Sequence, residues 1–592
     1  MSRSTALRIV GIAVFLIIVI ILGVRLSREV IKEAAPPAQA PPAPTAPAVP
    51  SSAGWTPEMQ KEVDAWMFSG EPVEGGCITV RDGGAPSAIN PVIDSTNPDF
   101  FSENLVFDAF LNISADLQPL PAESASVEIS DDHKVYTIHL SPKGKWQDGE
   151  PVTVDDIIFF YEMVRDPKNN AQAQLDNIAD IDHLERVDRL TLKVHMKEPI
   201  AAGIWKAVLP AIPKHAFEAE MADFKKEGKP WDMALSKLTR HPIGNGRYRL
   251  VNWDQPDTLV FERWEDYPFT KPYLKRITLK VIPQEAVALN AMKTGEIDCI
   301  PRMNSEAFAQ GTNDPQFRAV GRKILAPGMS YAAIFWNMDG SNPFFTDLRV
   351  RRGLAMAVDI QAIINTLGFG LPVQSNGIWA PAIWCYNPDV KLLPYDPDGA
   401  RALLETAGWK DEDGDGVLEK DGRKFEFELL TYNSPALVNI LAAVAEDWKK
   451  VGVTAVIRPL EWAAQHQRNQ ASDFQATYLA WGMGADPDYS YNTWHSSQYK
   501  VGRNYGKYAN PQADALWVRG RTVFDFAERK KIYQQLQQII YEDQPALFLY
   551  YLPIRFAVNR NIKGVRLSPR DPIVFYPGIF GWWIPKELQT CM

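Results

Sequence analysis

Trp462 and the run Tyr478-Leu479-Ala480-Trp481-Gly482-Met483-Gly484-Ala485-Asp486-Pro487-Asp488, whose Trp481 lies nineteen residues after it, hold the residue types with most chemistry to offer. An apolar, strand-like stretch ends in a tryptophan, a Gly-x-Gly follows, and Asp486-Pro487-Asp488 must turn. The pattern sets a flat aromatic surface, the backbone amides of Gly482 and Met483 and the Asp486 carboxylate at the mouth of a sheet. Such a set holds a ligand by stacking and main-chain hydrogen bonds without reacting with it. The plainer alternative is a strand end with a buried tryptophan and an ordinary loop.

Reactive motifs are missing from the sequence. There is no G-x-S-x-G, H-E-x-x-H or G-K-[ST], and both Gly482-Met483-Gly484 and Gly244-Asn245-Gly246 lack the third glycine of a dinucleotide site. The eight histidines are scattered, and only His495, beside Trp494, lies near the 481–488 loop. A binding protein is therefore expected, not an enzyme. Asp411-Glu412-Asp413-Gly414-Asp415-Gly416 imitates the first half of a calcium loop, with carboxylates at Asp411, Asp413 and Asp415. Its twelfth position is Gly422 where a bidentate glutamate belongs, so an acidic turn is the expectation and calcium the alternative; no cofactor is otherwise indicated.

The net charge of −10 and the lack of a Lys/Arg cluster larger than Arg349-Val350-Arg351-Arg352 argue against nucleic acid as a partner. Cys77, Cys299, Cys385 and Cys591 show no metal-ligand spacing, and they leave disulfides and buried thiols equally open. Between Arg8 and Arg25 lie sixteen uncharged, mostly apolar residues, Ile9 to Val24. As a helix they cover about 24 Å of a roughly 30 Å hydrocarbon core. No small-x-small cleavage site follows closely, which favours an uncleaved single-pass anchor over a signal peptide. Seven Ala and seven Pro in residues 34–50 make a semi-rigid spacer.

The elements that must position the loop follow from periodicity. Strands are expected at 74–80, across a hairpin 127–140, and at 190–196, 248–251, 274–281 and 297–300. Further strands are expected at 425–430, 454–459, 477–481 and 546–552. Thr153 with Asp156 starts a helix that ends at Asp166-Pro167. Helices are also expected at 285–294, 350–367, 397–407, 434–451 and 529–541. The fold class is α/β with more than one sheet.

Several segments together resemble the extracellular solute-binding proteins of family 5, the dipeptide, oligopeptide and nickel receptors of ABC importers. They include Gly149-Glu150-Pro151-Val152-Thr153-Val154-Asp155-Asp156, Gly244-Asn245-Gly246-Arg247-Tyr248, and Lys293-Thr294-Gly295-Glu296-Ile297-Asp298. Others are Pro343-Phe344-Phe345-Thr346-Asp347-Leu348-Arg349-Val350-Arg351-Arg352 and Leu403-Leu404-Glu405-Thr406-Ala407-Gly408-Trp409. The resemblance spans roughly residues 74–575. It implies a two-lobed, three-domain periplasmic-binding-protein-like fold (type II) that closes over its ligand, with ABC permease and ATPase subunits on other chains. The implied division is 1–33 anchor with flanks, 34–54 linker, 55–111 start of lobe I, 112–235 inserted subdomain, 236–330 lobe I continued, 331–545 lobe II and 546–592 return to lobe I. It also implies that ligand stacks near Trp481 and Trp462, and that Ser95, Thr96 and Asn97 face the same cleft from the other lobe. The carboxylate that commonly holds a peptide's ammonium group in this family is replaced here by Met483, four residues before Pro487. Asp486 is its possible substitute or part of the turn. The expected function is a membrane-tethered receptor outside the cytoplasm for peptides or peptide-like solutes. Alternatives are an oligosaccharide or other non-peptide solute, or a sensor uncoupled from transport.

Overall fold

The computed structural model describes residues 69–591 apart from 94–96, 170 and 255–256. The expected anchor, the Ala/Pro spacer, Ser95 and Thr96 therefore lie outside the described residues. Among those described, no helix is long and apolar enough to cross a membrane. The chain divides into two compact units. Among the described residues, one is the continuous stretch Pro327–Pro553; the other joins residues 69–326 with 554–591. Both changes of unit fall inside strands, Gly321–Trp336 and Ala546–Asn559.

In the two-segment unit, Cys77–Asp82 runs parallel to Arg276–Val281, which continues antiparallel into Thr258–Arg263 and Tyr248–Asp254. On the other side of Cys77–Asp82 lies the short strand Cys299–Ile300, which pairs with Ala557 and Val558. A separate antiparallel sheet has the order Ala125–Ile129, Val135–Leu140, Thr191–Met196, Ile181–Arg186. Tyr136, Ile138 and Leu140 are its buried set, as strict alternation requires. Helix Val154–Arg165 begins at a capping box, with the Thr153 amide donating to Asp156 Oδ2 at 2.8 Å. Cys77 and Cys591 form a disulfide, whereas Cys299 and Cys385 are buried thiols whose pKa burial pushes up.

In the continuous unit the strand order is Thr454–Leu460, Glu426–Tyr432, Ala476–Gly482, Gly321–Trp336, Ala546–Asn559. The first three are parallel neighbours, and Ala476–Gly482 pairs antiparallel with Ser330–Trp336. An aromatic core built from Trp336, Phe344, Phe345, Phe425, Phe427 and Trp448 fills one face. Phe344 stacks on Phe425 at 5.0 Å and Trp336 on Phe345 at 4.7 Å, offset contacts of the kind that add to plain area burial. Helix Pro435–Lys450 closes over this core, and its Trp448 Nε1 donates to the Leu354 carbonyl at 2.9 Å.

One expectation changes. The single helix expected at 350–367 is two, Leu348–Met356 and Ile360–Thr366, because Asp359 caps the second by accepting from the Ala362 amide. The basic run beside them combines an ion pair with a buried side chain. Arg349 pairs with Asp347, but Arg351 is buried and donates to the carbonyls of Phe345 and Asp543.

Candidate functional site

Helix Trp462–Gln470 follows strand Thr454–Leu460 and leads back into Ala476–Gly482. Gln465 fastens it to that last strand, donating from Nε2 to Thr477 Oγ1 at 3.1 Å and to the Tyr478 carbonyl at 3.0 Å. With the helix so held, Trp462 and Trp481 line one cleft of about 60 Å³, together with Tyr432, His466, Asn469 and Tyr505. The cleft lies wholly within the continuous unit.

The two tryptophans play different parts. Trp462 is half-buried and its ring lies flat on the His466 imidazole, with centroids 5.2 Å apart and planes 13° apart. Trp481 is only 6% exposed, wedged between Phe335 at 6.4 Å and Tyr505 at 6.2 Å. It is a wall of the cleft and part of the core at once.

Three residues of the lining also carry a polar atom that is buried, away from the open volume, with no hydrogen-bond partner among the described residues: Trp481 Nε1, His466 Nε2 and Asn469 Oδ1. His466 is 5% and Asn469 2% exposed. Burial, with the Arg503 charge adding to it, lowers the His466 pKa to about 4, so the imidazole is neutral near pH 7.

The loop after Trp481 turns its polar groups inward. Gly482 sits opposite Ser330 in the ladder, and the Met483 amide donates to the Met329 carbonyl at 2.7 Å. The Met483 side chain is 1% exposed, and its sulfur accepts from the Ala380 amide at 3.1 Å. Gly484 is required by space, since a Cβ there would lie 2.6 Å from Tyr489 Cβ. Asp486 is 2% exposed; its carboxylate takes both terminal nitrogens of Arg529, one at 2.6 Å, and accepts from the Asp488 amide at 2.9 Å. Arg529, with a fully buried side chain, also donates from Nε to the Gly520 carbonyl at 2.7 Å. Burial alone would lower the Arg529 pKa, but the Asp486 charge outweighs it and holds the guanidinium protonated. Asp486 is thus committed to the turn and to Arg529. Asn97 opens helix Asn97–Val106 in the other unit.

Sequence reading did not single out His466, Asn469 or Gln465, yet their spacing was a signal. Residues 462, 465, 466 and 469 recur at i, i+3, i+4 and i+7, one face of a helix. His495, the histidine that was singled out, is a helix cap instead; its Nδ1 accepts from the Ser497 amide at 3.1 Å.

At the acidic turn, carboxylate oxygens of Asp411, Asp413 and Glu419 lie within 4.8 Å of one another. Lys424 Nζ is 3.4 Å from Asp413 and 3.7 Å from Glu419, and it bonds Asp415. Its bond to Asp415 raises the Lys424 pKa to about 12. Asp411 accepts from the Gly414 and Gly416 amides. A lysine and the loop's own amides therefore answer these charges, and nothing supports calcium.

A larger cavity of about 210 Å³ lies in the two-segment unit, lined by Phe101, Asp108, Trp205, Arg247 and Tyr576 among others. The Arg247 charge there is answered from within: Nη1 meets Asp108 Oδ1 at 2.5 Å, and the guanidinium lies 4.7 Å from the Phe580 ring. That cavity too has a buried polar atom without a hydrogen-bond partner among the described residues, Trp205 Nε1; the tryptophan cleft is set apart by its paired aromatic faces.

Residues 116–501 match the family described as bacterial extracellular solute-binding proteins, family 5. The oligopeptide-binding protein AppA of Bacillus subtilis is 28% identical over 532 residues, which cover 88% of this chain and 93% of that one. Its solved structure in complex with a nonapeptide superposes with a TM-score of 0.74 at 27% identity, covering 87% of this chain and 100% of that one. NikZ from Campylobacter jejuni in complex with Ni(L-His) gives a TM-score of 0.71 at 26% identity, covering 86% and 99%. The fold is therefore the α/β, periplasmic-binding-protein-like one.

Proposed function

The chain belongs to the bacterial extracellular solute-binding proteins, family 5, a family of receptors and not of enzymes, and we propose that it captures a peptide or peptide-like solute outside the cytoplasm and delivers it to an ABC importer. The observation that carries the reading is the cleft shared by Trp462 and Trp481, which offers aromatic stacking surface. The similarity to a receptor solved with a nonapeptide supports peptide as the solute class. The permease and ATPase subunits belong to other chains.

The ligand set in the continuous unit is Trp481, Trp462 and the Gly482 backbone; the Met483 amide, expected to join them, is already taken by the Met329 carbonyl. Asp486 acts by holding the loop through Arg529. Met483 supplies no charge for an ammonium group, which favours a ligand whose amine is blocked or bound elsewhere. Residues 9–24 tether the receptor to the cytoplasmic membrane, and 34–54 set it off from that surface. The separate four-stranded sheet between Ala125 and Met196 supports 112–235 as an inserted subdomain. The continuous unit Pro327–Pro553 supports 331–545 as lobe II.

Native mass spectrometry of protein purified without denaturation tests the reading. The expected result is release of a peptide mass, and loss of that mass from Trp462→Ala, whose half-buried ring can be removed without opening the core. Release of a sugar or a metal complex would overturn the peptide assignment. Equal occupancy in Trp462→Ala would overturn the site.

A further inference from the structure

The two-segment unit keeps a space of about 210 Å³ within itself. Close-packed interiors hold few voids larger than a water molecule, because the lining of an empty one forfeits its dispersion contacts. Much of this lining is core: Phe101, Phe110, Phe575 and Ile579 are each 7% exposed or less. Solvent reaches it at Ala109, which is exposed, and at Asn112 and Val208, which are half-buried. Buried walls with an accessible rim make a pocket and not a sealed packing defect.

We propose that this pocket binds one uncharged aromatic ring, either free as a small molecule or carried on the transported solute. Three features of the lining define that occupant. Its charges balance: Arg247 and Arg570 are matched by Asp108 and Glu103, so it exerts no net pull on an anion or a cation. Arg247 and Asp108 already answer one another as a buried pair. Its chemistry is aromatic: seven lining residues carry rings, and the Arg247 guanidinium lies 5.2, 5.6 and 4.7 Å from the rings of Tyr267, Tyr576 and Phe580. Another ring extends that assembly by edge and face contacts, whereas an aliphatic group brings only its area. Its size fits as well. An apolar cavity of about 150 Å³ takes up benzene, so 210 Å³ admits a six-membered ring with one substituent.

The pocket does not depend on the peptide reading, and the test keeps the two apart. The full chain is titrated calorimetrically with phenol and, for comparison, with cyclohexanol, benzoate and benzylamine. A second arm uses acetylated, amidated pentaalanine with phenylalanine at each position in turn. Phenol should bind about tenfold or more tightly than each comparison compound, or one phenylalanine peptide about tenfold or more tightly than pentaalanine. A preference confined to phenol identifies a free ring; one among the peptides identifies a ring carried on the solute. Ala109→Trp, at an exposed position, and Val208→Trp, at a half-buried one, place an indole of the protein's own in the space. Each, verified as folded by its melting transition, should bring the preferred ligand to within about threefold of its comparison. No preference in either arm, or one that survives in either folded variant, overturns the pocket. Peptides that bind without regard to phenylalanine, while phenol shows no preference, overturn the pocket and leave the peptide reading standing. Phenol preferred and no peptide bound overturns the peptide reading and leaves the pocket.

Discussion

Replacing Asp486 by asparagine keeps the volume of the side chain and removes its charge. Arg529, with a side chain that is 0% exposed, is then left with the Tyr533 hydroxyl on Nη2 and the field of Asp488 in place of the carboxylate paired with its terminal nitrogens. The new amide can accept from one of those nitrogens but presents its own NH2 to the other. Removing one partner of a buried pair costs about 3–5 kcal/mol, far more than the pair is worth against a well-packed apolar substitute. For a unit of 150–250 residues, each kcal/mol shifts the melting temperature by about 2–4 °C, so a fall of roughly 6–20 °C is expected. Urea unfolding followed by tryptophan fluorescence, together with calorimetry, reads both quantities. Arg529→Met should be costly alone, and the double variant should cost less than the sum of the two, because the charges are lost together. The converse pattern sinks the assignment. If Asp486→Asn melts within about 0.5 kcal/mol of the parent yet binds free-amine peptides tenfold more weakly, Asp486 is the ammonium anchor after all.

Acid should weaken the continuous unit through His466. Burial, with help from Arg503, lowers its pKa from 6.5 to about 4, so the unfolded chain takes up a proton that the folded one refuses. The stability is fully present above pH 6.5 and is lost as pH falls toward 4, about 2–3 kcal/mol by pH 4.5. His466→Phe should lose that much less between pH 7 and 4.5 in urea titrations, and an equal loss in both proteins would refute the assignment. Calcium at about 1 mM, the weak end of known sites, should leave the melting temperature unchanged, since Lys424 already sits among the carboxylates. A stabilising shift that a chelator abolishes would overturn this.

Most strands and helices were legible because the chain obeys simple periodicities. Tyr136, Ile138 and Leu140 alternate, and Thr153 with Asp156 marks a helix start. The break at Asp359 was hidden because Val350 to Leu367 keeps helical periodicity while a single side chain interrupts the backbone. The placing of Trp462 and Trp481 in one cleft was legible from their spacing and the family pattern. The fate of Asp486 was not, since its partner Arg529 is forty-three residues away and nothing local to the loop announces it. The disulfide was equally hidden: Cys77 and Cys591 are 514 residues apart, and spacing gives no reason to pair them. His466 was missed for a different reason. A polar helix face reads as solvated until a neighbouring strand covers it.

The division of the chain also sets an order of events during synthesis. Pro327–Pro553 is continuous, so every contact within it is available once its last strand has emerged. The unit that begins first is the one that must finish last. Its short strand Cys299–Ile300 pairs with Ala557 and Val558, across the whole of the inserted unit, and its disulfide waits for Cys591. Closing so long a loop before any contact rewards it is slow. Until then the first segment carries an unfinished sheet edge, the kind of surface that invites mispairing. That exposed edge belongs to residues before Ala326 and not to the continuous unit that follows them.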